Sequence, residues 1–528
     1  MEKLLILGTN TRPIVNSSFE LYYKTYSASY FETLDFKKPY NSRCILHQKA
    51  NLSCGNFEEN FNPNKILNLC IDWIEEVDHI ILSSGISAKD FDNYTTNTTN
   101  TNNNTNNTNN TNNNTNNNTN NNTNNNTNNN TNNNTNNNTN NNTNNTNNNK
   151  TNNINSKYNI LKKNKKKIIG NQNTKKLKTV ENKHKFYKKI KNRYLVPETY
   201  KIDIFYENDI NNIYSIDETN EINEILKQNP EKQFILKPLN GTGGYGIKLL
   251  NYNNLAKKKT TTTIKNNNTN NNKDNNKNNG KIEDINTKKE KTSYLLQEYV
   301  YGKNLSSSIL SSKNEAKTVV INENHFMDMS KNKKQDFRYW GNTSPINQNS
   351  YSKDIIKTIN ETSENLINDL DLIGSNGVDF ILNNEDIYII EVNPRFQGTY
   401  ELIEKIFNIN MLKSHIDSCN GIIPEINEQK SIAMKKIVYT NKQIKFNKLN
   451  EINSILNKTN IDKLKHKKEA YTICDIPHKN VIIEKNQPLL TIIGENNNLN
   501  DLKNDMEYLE NSINNIIYEK NKNKISTI

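Results

Sequence analysis

Short apolar runs alternate with amphipathic segments at the beginning of the chain, and this alternation predicts an α/β arrangement. Leu4–Leu7 has the character of a buried strand, and a glycine turn follows it. Pro13–Tyr23 is a predicted helix, and Tyr26–Phe31 is a second predicted strand. Ile66–Glu76 places its apolar residues near one helical face, which predicts a further helix before the strand His79–Leu82.

Two polar tracts interrupt this alternation. Between residues 95 and 153 every position is Asn or Thr except Lys150, and residues 257–292 are mostly Lys, Asn and Thr. Such segments carry too little apolar surface to offset the entropy of ordering the chain. We therefore predict two disordered inserts, at 92–156 and 257–292. They account for the low hydrophobic content of the 528-residue chain, 32%.

The alternation resumes after the first tract. Lys167–Asn171 supplies a predicted strand and turn, so the tract is an insertion within a domain and not a boundary between two. Val481–Ile483 and Leu489–Ile493 flank a Gln-Pro turn and predict a small β-rich unit, and Leu499–Tyr518 predicts a final helix. The predicted domains are an N-terminal α/β domain at 1–180, a central domain at 181–425 and a C-terminal unit at 426–528.

Positive charge is concentrated in one segment. Residues 157–193 contain fourteen lysines and Arg193 against a single acid, Glu181, while the formal net charge of the whole chain is +13. The rest of the chain is therefore close to neutral. A basic segment can attract nucleic acid or a polyphosphate, or it can be a solvated linker and helix face. Few aromatic residues accompany the lysines, which makes a nucleic-acid partner unlikely.

Composition disfavours several other classes of protein. No stretch of 18 or more apolar residues occurs, so no membrane span is predicted. The apolar run at the N-terminus is too short for a secretion signal. The five cysteines lack CxxC spacing, and we interpret them as reduced thiols of a cytoplasmic protein.

The first chemical motif is a glycine-rich loop between two short strands. Phe234–Pro238 and Ile247–Leu250 are the predicted strands, and the four glycines between them let backbone N–H groups approach phosphate oxygens. The spacing matches GxGxxG, but that fingerprint requires a helix after the loop. A strand–loop–strand clamp over ATP fits the pattern better, and an ordinary glycine-rich hairpin is the structural alternative.

The second motif is a hairpin that carries two acids. Gly377–Leu382 and Ile387–Arg395 are predicted strands around a turn. A connection of three or five residues would place Asp379 across from Glu391 on one face, with Asn393 on the same face. An even-length connection would instead favour acids facing solvent. Two carboxylates and an amide oxygen among apolar neighbours suit Mg²⁺ that bridges nucleotide phosphates.

Together these motifs resemble the ATP-grasp enzymes, in the order in which that family has them. Asn182-Lys183 with Val196–Thr199 resembles the entry to the fold, and Phe234–Gly246 resembles its lysine strand and glycine loop. Leu295–Gly302 resembles the hinge that receives adenine, and Gly377–Arg395 the metal hairpin. The chain is similar in particular to the predicted ATP-dependent carboligases related to biotin carboxylase.

The resemblance implies a fold, two cofactors and a set of site residues. The fold is α/β (α+β): an ATP-grasp domain preceded by a Rossmann-like pre-ATP-grasp domain and followed by the small β-rich unit. ATP and Mg²⁺ (or Mn²⁺) are the implied cofactors. The implied catalytic residues are Arg395 and Lys237. The implied ATP-binding residues are Lys183, Lys237, Gly241, Gly243, Gly244, Gly246, Gln297, Glu298 and Val300, and the implied metal ligands are Asp379, Glu391 and Asn393.

Some positions depart from the family pattern. Biotin carboxylase follows its arginine with a Gln-x-Glu-His run whose Glu serves bicarbonate chemistry, whereas this chain has Arg395-Phe396-Gln397-Gly398-Thr399. No Met-Lys-Met biotin attachment site occurs either. Another unusual stretch contains Arg338 beside aromatic residues, where a planar guanidinium could grip a substrate carboxylate or simply cap a packed turn.

We predict an ADP-forming ligase that activates a carboxylate as an acyl phosphate for attack by an amine. The partners are then a small-molecule carboxylate and an amine. One alternative is a carboxylation that uses bicarbonate, as in biotin carboxylase. Another is a nucleotide- or nucleic-acid-binding protein without ligase activity.

Overall fold

Four parallel strands form the N-terminal sheet. They are β1 (Lys3–Gly8), β2 (Lys24–Phe31), β3 (Asn41–Leu46) and β4 (His79–Leu82), in the order β3-β2-β1-β4. The structure, a computed structural model, describes residues 1–52, 62–94, 155–206, 220–239, 244, 246–250, 290–327, 337–461 and 471–518. The predicted α/β beginning of the chain is confirmed, since β1 is buried along almost its whole length.

Short helices cover this sheet. They are α1 (Arg12–Ser18), α2 (Pro63–Leu69), α3 (Ile71–Glu76) and α4 (Ala88–Asp92). Two predictions of length were wrong. The predicted helix Pro13–Tyr23 ends at Ser18, and Tyr22 has a left-handed φ of 57° that a helix cannot contain. The predicted helix Ile66–Glu76 is two helices, because Cys70 leaves helical geometry and its thiol donates to the carbonyl of Ile66.

The chain between the first insert and the second sheet is largely helical. Its helices are α5 (155–164), α6 (Thr174–Val180) and α7 (Lys183–Ile190). The strand predicted at Lys167–Asn171 is reduced to one parallel bridge between Ile168 and Ile80. Gly170 then turns the chain with a φ of 131°, so no longer ladder can form.

A second sheet is antiparallel and has four strands. They are β5 (Thr199–Tyr206), β6 (Phe234–Pro238), β7 (Lys248–Leu250) and β8 (Glu290–Glu298), in the order β5-β8-β6-β7. Helix α8 (Asn220–Gln228) packs on one face through a core that includes Ile222, Leu226, Phe234 and Leu296. The other face is left for the site described below. The predicted strand–loop–strand arrangement around the glycines is confirmed, because β6 pairs with β7.

The central sheet has eight antiparallel strands. They are β9 (Lys303–Ser311), β10 (Ala316–Phe326), β11 (Tyr339–Ser344), β12 (Gly374–Asn383), β13 (Asp386–Asn393), β14 (Ile432–Tyr439), β16 (Tyr471–Cys474) and β18 (Pro488–Asn496). Their order is β13-β12-β9-β10-β11-β14-β18-β16. A separate pair consists of β15 (Ile444–Lys445) and β17 (Ile482–Ile483). The predicted C-terminal β-rich unit is thus present, and its long strands extend the central sheet.

Helices cover both faces of the central sheet. They are α9 (Lys353–Asp369), α10 (Tyr400–Phe407), α11 (Met411–Cys419), α12 (Leu449–Ile461) and α13 (Leu499–Tyr518). α9 and α13 pack on one face, while α10 and α11 pack on the other together with α1. The acidic side chains of the hairpin formed by β12 and β13 lie on this second face.

A buried ionic cluster joins the N-terminal, central and C-terminal parts. The Arg12 guanidinium, which is 2% exposed, forms two parallel hydrogen bonds to Glu401 at 2.7 and 2.9 Å. Its Nε also lies 3.1 Å from Asp35 and 2.9 Å from Asp475. We refer to Arg12, Asp35, Glu401 and Asp475 as the Arg12 cluster.

Most of the two predicted inserts lies outside the described residues, but their predicted edges need correction. Asp92 ends helix α4, and α5 already covers residues 155 and 156, so the span 92–156 was too wide. Thr292 lies in β8, so the second insert ends before it. Among the helices that the structure describes, none is both long and apolar enough to cross a membrane.

Candidate active site

The acidic hairpin places Asp379 and Glu391 directly opposite each other in β12 and β13. The connection is the even-length alternative: Asn383 pairs with Asp386, so only two residues connect the strands. That even length alone would pair Asp379 with Ile390. An extra residue on β13 between two successive pairs forms a β-bulge, and the bulge restores the Asp379–Glu391 pair. Directly paired residues share a face, so both carboxylates point to the same side.

Asn393 and Arg395 complete what we call the hairpin cluster, together with Asp379 and Glu391. The Asn393 amide Nδ2 donates to Asp379 Oδ2 at 2.8 Å. The Arg395 guanidinium donates to Asn393 Oδ1 at 3.0 Å and to the carbonyl of Phe396 at 3.1 Å. The amide therefore connects the guanidinium to a carboxylate, and all four predicted side chains lie together.

Two lysines approach the hairpin cluster from other elements. Lys183, the first residue of α7, places its Nζ 3.0 Å from Glu391 Oε2. Lys237 lies near the end of β6, and its side chain is 6% exposed. Lys237 Nζ donates to Gln297 Oε1 at 2.7 Å. The predicted ATP-phosphate lysines and the predicted metal ligands thus belong to one site.

The charges of this site shift one another's proton affinity. Burial alone would raise the pKa of Glu391, but the positive charges of Lys183 and Lys237 outweigh burial and hold that pKa below its usual range. Burial, and then the charge of Glu391, raises the pKa of Asp379. Burial, and then the charge of Lys183, lowers the pKa of Lys237 to about 7. Groups with such shifts in a cleft are typical of catalytic sites.

The predicted adenine hinge lies at the end of β8. Gln297 uses its side chain to bond Lys237, which the sequence did not indicate. Glu298 pairs with the neighbouring chain, since its backbone N–H donates to the carbonyl of Glu198 at 2.8 Å. Its carboxylate accepts from Lys232 at 3.4 Å. Val300 is buried just beyond the strand.

The glycine loop is described in part. Gly241 and Gly243 lie outside the described residues. Gly244 has a φ of 81°, and a Cβ built on it would lie 2.0 Å from the carbonyl oxygen of Phe337. Gly246 also has a positive φ, 74°, and lies over Pro238. The requirement for glycine is therefore steric at Gly244 and conformational at both positions.

Arg338 is bound to the C-terminal part of the chain. Its guanidinium donates to the carbonyl of Asn486 at 2.9 Å and lies 5.0 Å from the centre of the Tyr439 ring. The next residue, Tyr339, is closer to the site: burial, and then the charge of Asp379, raises its pKa. The sequence stretch was singled out for its arginine, and no pattern in it distinguished the tyrosine.

The segment after Arg395 packs on strands β9 and β12 of the central sheet. Gln397 lies over Gly377, where any Cβ would collide with its amide. Ser308 donates to Gln397 Oε1 at 2.8 Å, and its own oxygen lies 3.0 Å from Thr399 Oγ1. Thr399 is 2% exposed and is the N-cap residue of α10. Thr399, which the sequence resemblance aligns with the glutamate of biotin carboxylase, is thus a buried, hydrogen-bonded hydroxyl.

Residues 180–399 match the family model described as the ATP-grasp domain. This part of the chain is an ATP-grasp domain. The predicted resemblance to the ATP-grasp enzymes is confirmed over these residues.

The individual proteins that the chain resembles have low sequence identity to it. An uncharacterised protein of Methanocaldococcus jannaschii is 25% identical over 501 residues, covering 94% of this chain and 88% of that protein. The N5-carboxyaminoimidazole synthase of Aspergillus clavatus, in complex with ADP and 5-aminoimidazole ribonucleotide, has a TM-score of 0.55 at 10% identity, covering 97% and 98% of the two chains.

Two carboxylases share the fold as well. The biotin carboxylase domain of Hydrogenobacter thermophilus 2-oxoglutarate carboxylase, in complex with MgADP and bicarbonate, has a TM-score of 0.54 at 10% identity, covering 96% of this chain and 89% of that one. Rhizobium etli pyruvate carboxylase has a TM-score of 0.53 at 13% identity, and this chain, covered over 96% of its length, spans only 37% of that protein.

The donor set of the ATP-grasp site fits its cofactors. ATP-grasp enzymes use ATP and Mg²⁺. The hairpin cluster offers two carboxylates and an amide oxygen, which are the hard ligands that Mg²⁺ prefers. Two lysines and an arginine beside them suit phosphate oxygens. Within the described part of the chain, no group of three or more His, Cys, Asp or Glu residues could hold a metal ion.

Proposed function

We propose that this ATP-grasp enzyme joins a small-molecule carboxylate to an amine, with ATP converted to ADP and phosphate. The observation that supports it best is that separate elements bring Asp379, Glu391, Lys183, Lys237 and Arg395 close together. In this proposal Asp379, Glu391 and Asn393 bind Mg²⁺, while Lys183, Lys237 and the glycine loop bind the ATP phosphates. Gln297, Glu298 and Val300 line the adenine pocket.

The reaction has two steps in this proposal. A substrate carboxylate oxygen attacks the γ-phosphorus, the bond to the β–γ bridging oxygen breaks, and ADP leaves. The amine nitrogen then attacks the acyl carbon, phosphate leaves with the bonding electron pair, and the nitrogen loses a proton to form a neutral amide. Mg²⁺ would neutralise phosphate charge when bound. Arg395, held by Asn393 and the Phe396 carbonyl, is positioned to stabilise charge on the acyl phosphate.

Thr399 supports an amine acceptor over bicarbonate chemistry. A carboxylate at this position could act as a general base, whereas the Thr399 hydroxyl is buried against Ser308 and cannot take up a proton at neutral pH. The biotin carboxylase domain with the same fold, in complex with MgADP and bicarbonate, makes bicarbonate the second candidate carboxylate.

The test is ADP release by the purified full-length protein across a panel of carboxylates and amines, with and without bicarbonate. We expect release that requires both a carboxylate and an amine and that bicarbonate alone does not support. Release that depends on bicarbonate would replace the proposal with a carboxylation. No release with any combination, in a protein that binds ATP, would support a nucleotide-binding protein without ligase activity.

Two further features are part of this proposal. The domain limits at residues 180 and 425 delimit a pre-ATP-grasp domain, the ATP-grasp domain and the C-terminal unit. A cytoplasmic location also remains a prediction. Arg338 is not included among the proposed substrate ligands, because its guanidinium is held by Asn486 and Tyr439.

A further inference from the structure

Three buried polar side chains of the second sheet form a continuous hydrogen-bonded series. They are Lys237, Gln297 and Thr199, and each is 6% exposed. Gln297 pairs directly with Thr199 of β5 on one side and with Ile235 of β6 on the other. Because Lys237 is two residues beyond Ile235, all three side chains share one face of the sheet. This is the face opposite the α8 core, and it is the one that meets the hairpin cluster.

The direction of the hydrogen bonds follows from the backbone end of the series. The Thr199 hydroxyl donates its only proton to the carbonyl of Pro197 at 2.9 Å. Its oxygen is then left to accept from Gln297 Nε2 at 2.8 Å. The Gln297 amide must therefore turn its Oε1 towards Lys237 Nζ, 2.7 Å away. Thr199 thus decides which end of the amide meets the lysine.

A neutral acceptor has a consequence for the charge of Lys237. The neighbouring Lys183 is paired with the Glu391 carboxylate at 3.0 Å, so part of its charge is already compensated. The Lys237 Nζ is instead hydrogen-bonded by an amide, which orients it and adds no negative charge to that of the nearby Glu391. A lysine side chain has several rotatable bonds, so orienting it in advance lowers the entropy lost when it meets a ligand.

We propose that Gln297, oriented by Thr199, is a positioning residue that holds the Lys237 side chain towards the ATP phosphates without placing a negative charge against it. The inference rests on the proposed role of Lys237 in phosphate binding. It assigns to the Gln297 side chain a task distinct from the adenine contact proposed for its backbone.

Equilibrium binding of MgATP to the full-length protein, followed by calorimetry, tests this inference. Thr199→Val removes the acceptor for the Gln297 amide and frees that amide to rotate. We expect about tenfold weaker binding, the size of one lost hydrogen bond to a charged group. Thr199→Ser keeps the hydroxyl and should recover most of that loss. The matched control is Thr292→Val. Thr292 is an exposed residue of β8, the strand that carries Gln297, and this variant should bind MgATP as the wild type does.

Gln297→Glu distinguishes positioning from packing. It is nearly isosteric but places a negative charge beside Lys237, so we expect binding to weaken more than in Thr199→Val, by about a hundredfold. If Gln297 only filled space, this substitution would leave the affinity for MgATP unchanged. Thermal unfolding of each variant shows whether a change of affinity is a change of fold.

Lys237→Met distinguishes a failure of the proposed phosphate-binding role of Lys237 from a failure of the positioning role of Gln297. If Lys237→Met binds MgATP as the wild type does, the proposed role of Lys237 is wrong. If Lys237→Met weakens binding but Thr199→Val and Gln297→Glu do not, the ATP site stands and the positioning role is wrong. In the Gln297→Met background, Thr199→Val should have no further effect on affinity, and a full additional loss would also overturn the inference.

Discussion

The Arg12 cluster and the hairpin cluster contain similar residues but differ in how their charges are satisfied. In the Arg12 cluster one planar guanidinium faces three carboxylates, and the Arg12 side chain is 3% exposed. In the hairpin cluster both carboxylates belong to one hairpin, and the two lysines that approach it come from α7 and β6. Its Glu391 side chain keeps 31% exposure. The first cluster is closed and joins three parts of the chain, whereas the second remains open to a ligand.

This difference shows why charged residues alone do not mark an active site. The pKa of Asp475 is held well below its usual range, because Arg12 and then Lys435 outweigh the effect of burial. Glu401 shifts in the same direction for the same reasons. In the hairpin cluster the two carboxylates shift in opposite directions. Paired acids whose pKa values are pushed apart are typical of catalysis, and ion-pair networks that support the fold also shift the pKa values of their acids.

The largest effect is expected for Glu391→Ala in the hairpin cluster. Removal of this carboxylate should lower ADP formation by at least about a hundredfold, since charge on the transferring phosphoryl group would be poorly stabilised. Thermal unfolding should change little, because the side chain is partly exposed. Glu385→Ala, in the exposed turn of the same hairpin, is the control and should retain activity. Wild-type turnover in Glu391→Ala would refute the metal assignment.

The converse change is Arg12→Met. It leaves three carboxylates around an apolar side chain, so we expect the free energy of unfolding to fall by about 3–5 kcal/mol, measured by urea denaturation. Arg193→Met is the control. The Arg193 side chain is 67% exposed and pairs with Asp369 at 2.6 Å, and such a surface pair contributes only about 0–1 kcal/mol. Equal losses in both variants would mean that the Arg12 cluster is no more than a surface ion pair.

Gly244→Ala tests the contact of the glycine loop. Its Cβ would meet the Phe337 carbonyl, and φ is positive, so the loop must move. We expect MgATP binding to weaken about tenfold with little change in the melting temperature. Gly421→Ala shares a positive φ, 93°, but its Cβ would meet nothing within 4 Å. If the control weakens binding equally, the effect belongs to backbone strain and not to the site.

The smallest effect concerns acid stability. The ordinary pKa values of Glu401 and Asp475 are 4.5 and 3.8, and both are lowered in the folded protein. Their stabilisation is therefore fully present above about pH 4.5 and is lost as the pH falls through the folded values. Denaturation measured between about pH 7 and pH 3 should show this loss in the wild type, and a shallower slope in Arg12→Met. An unchanged slope would exclude the cluster as its source.

Residue pattern predicted much of the fold, and the resemblance to the ATP-grasp enzymes predicted the members of the site. Apolar runs predicted the first strands, and the motif order led to the lysines, the glycines, the acids and Arg395. Pattern could not predict helix ends at Ser18 and Cys70, because these depend on local backbone geometry. It could not separate Arg338 from Tyr339 either, since both lie in the same unusual stretch.

The sequence by itself determined which chemical groups are present, because residue type and order are local properties. Only the tertiary structure decided how they meet. Although only two residues connect β12 and β13, the bulge in β13 shifts the register so that Asp379 and Glu391 lie on the same face. A bulge depends on the pairing between strands. The Gln297 amide contacts Lys237 because β8 lies between β5 and β6. The Arg12 cluster unites residues hundreds of positions apart, which no local pattern can indicate.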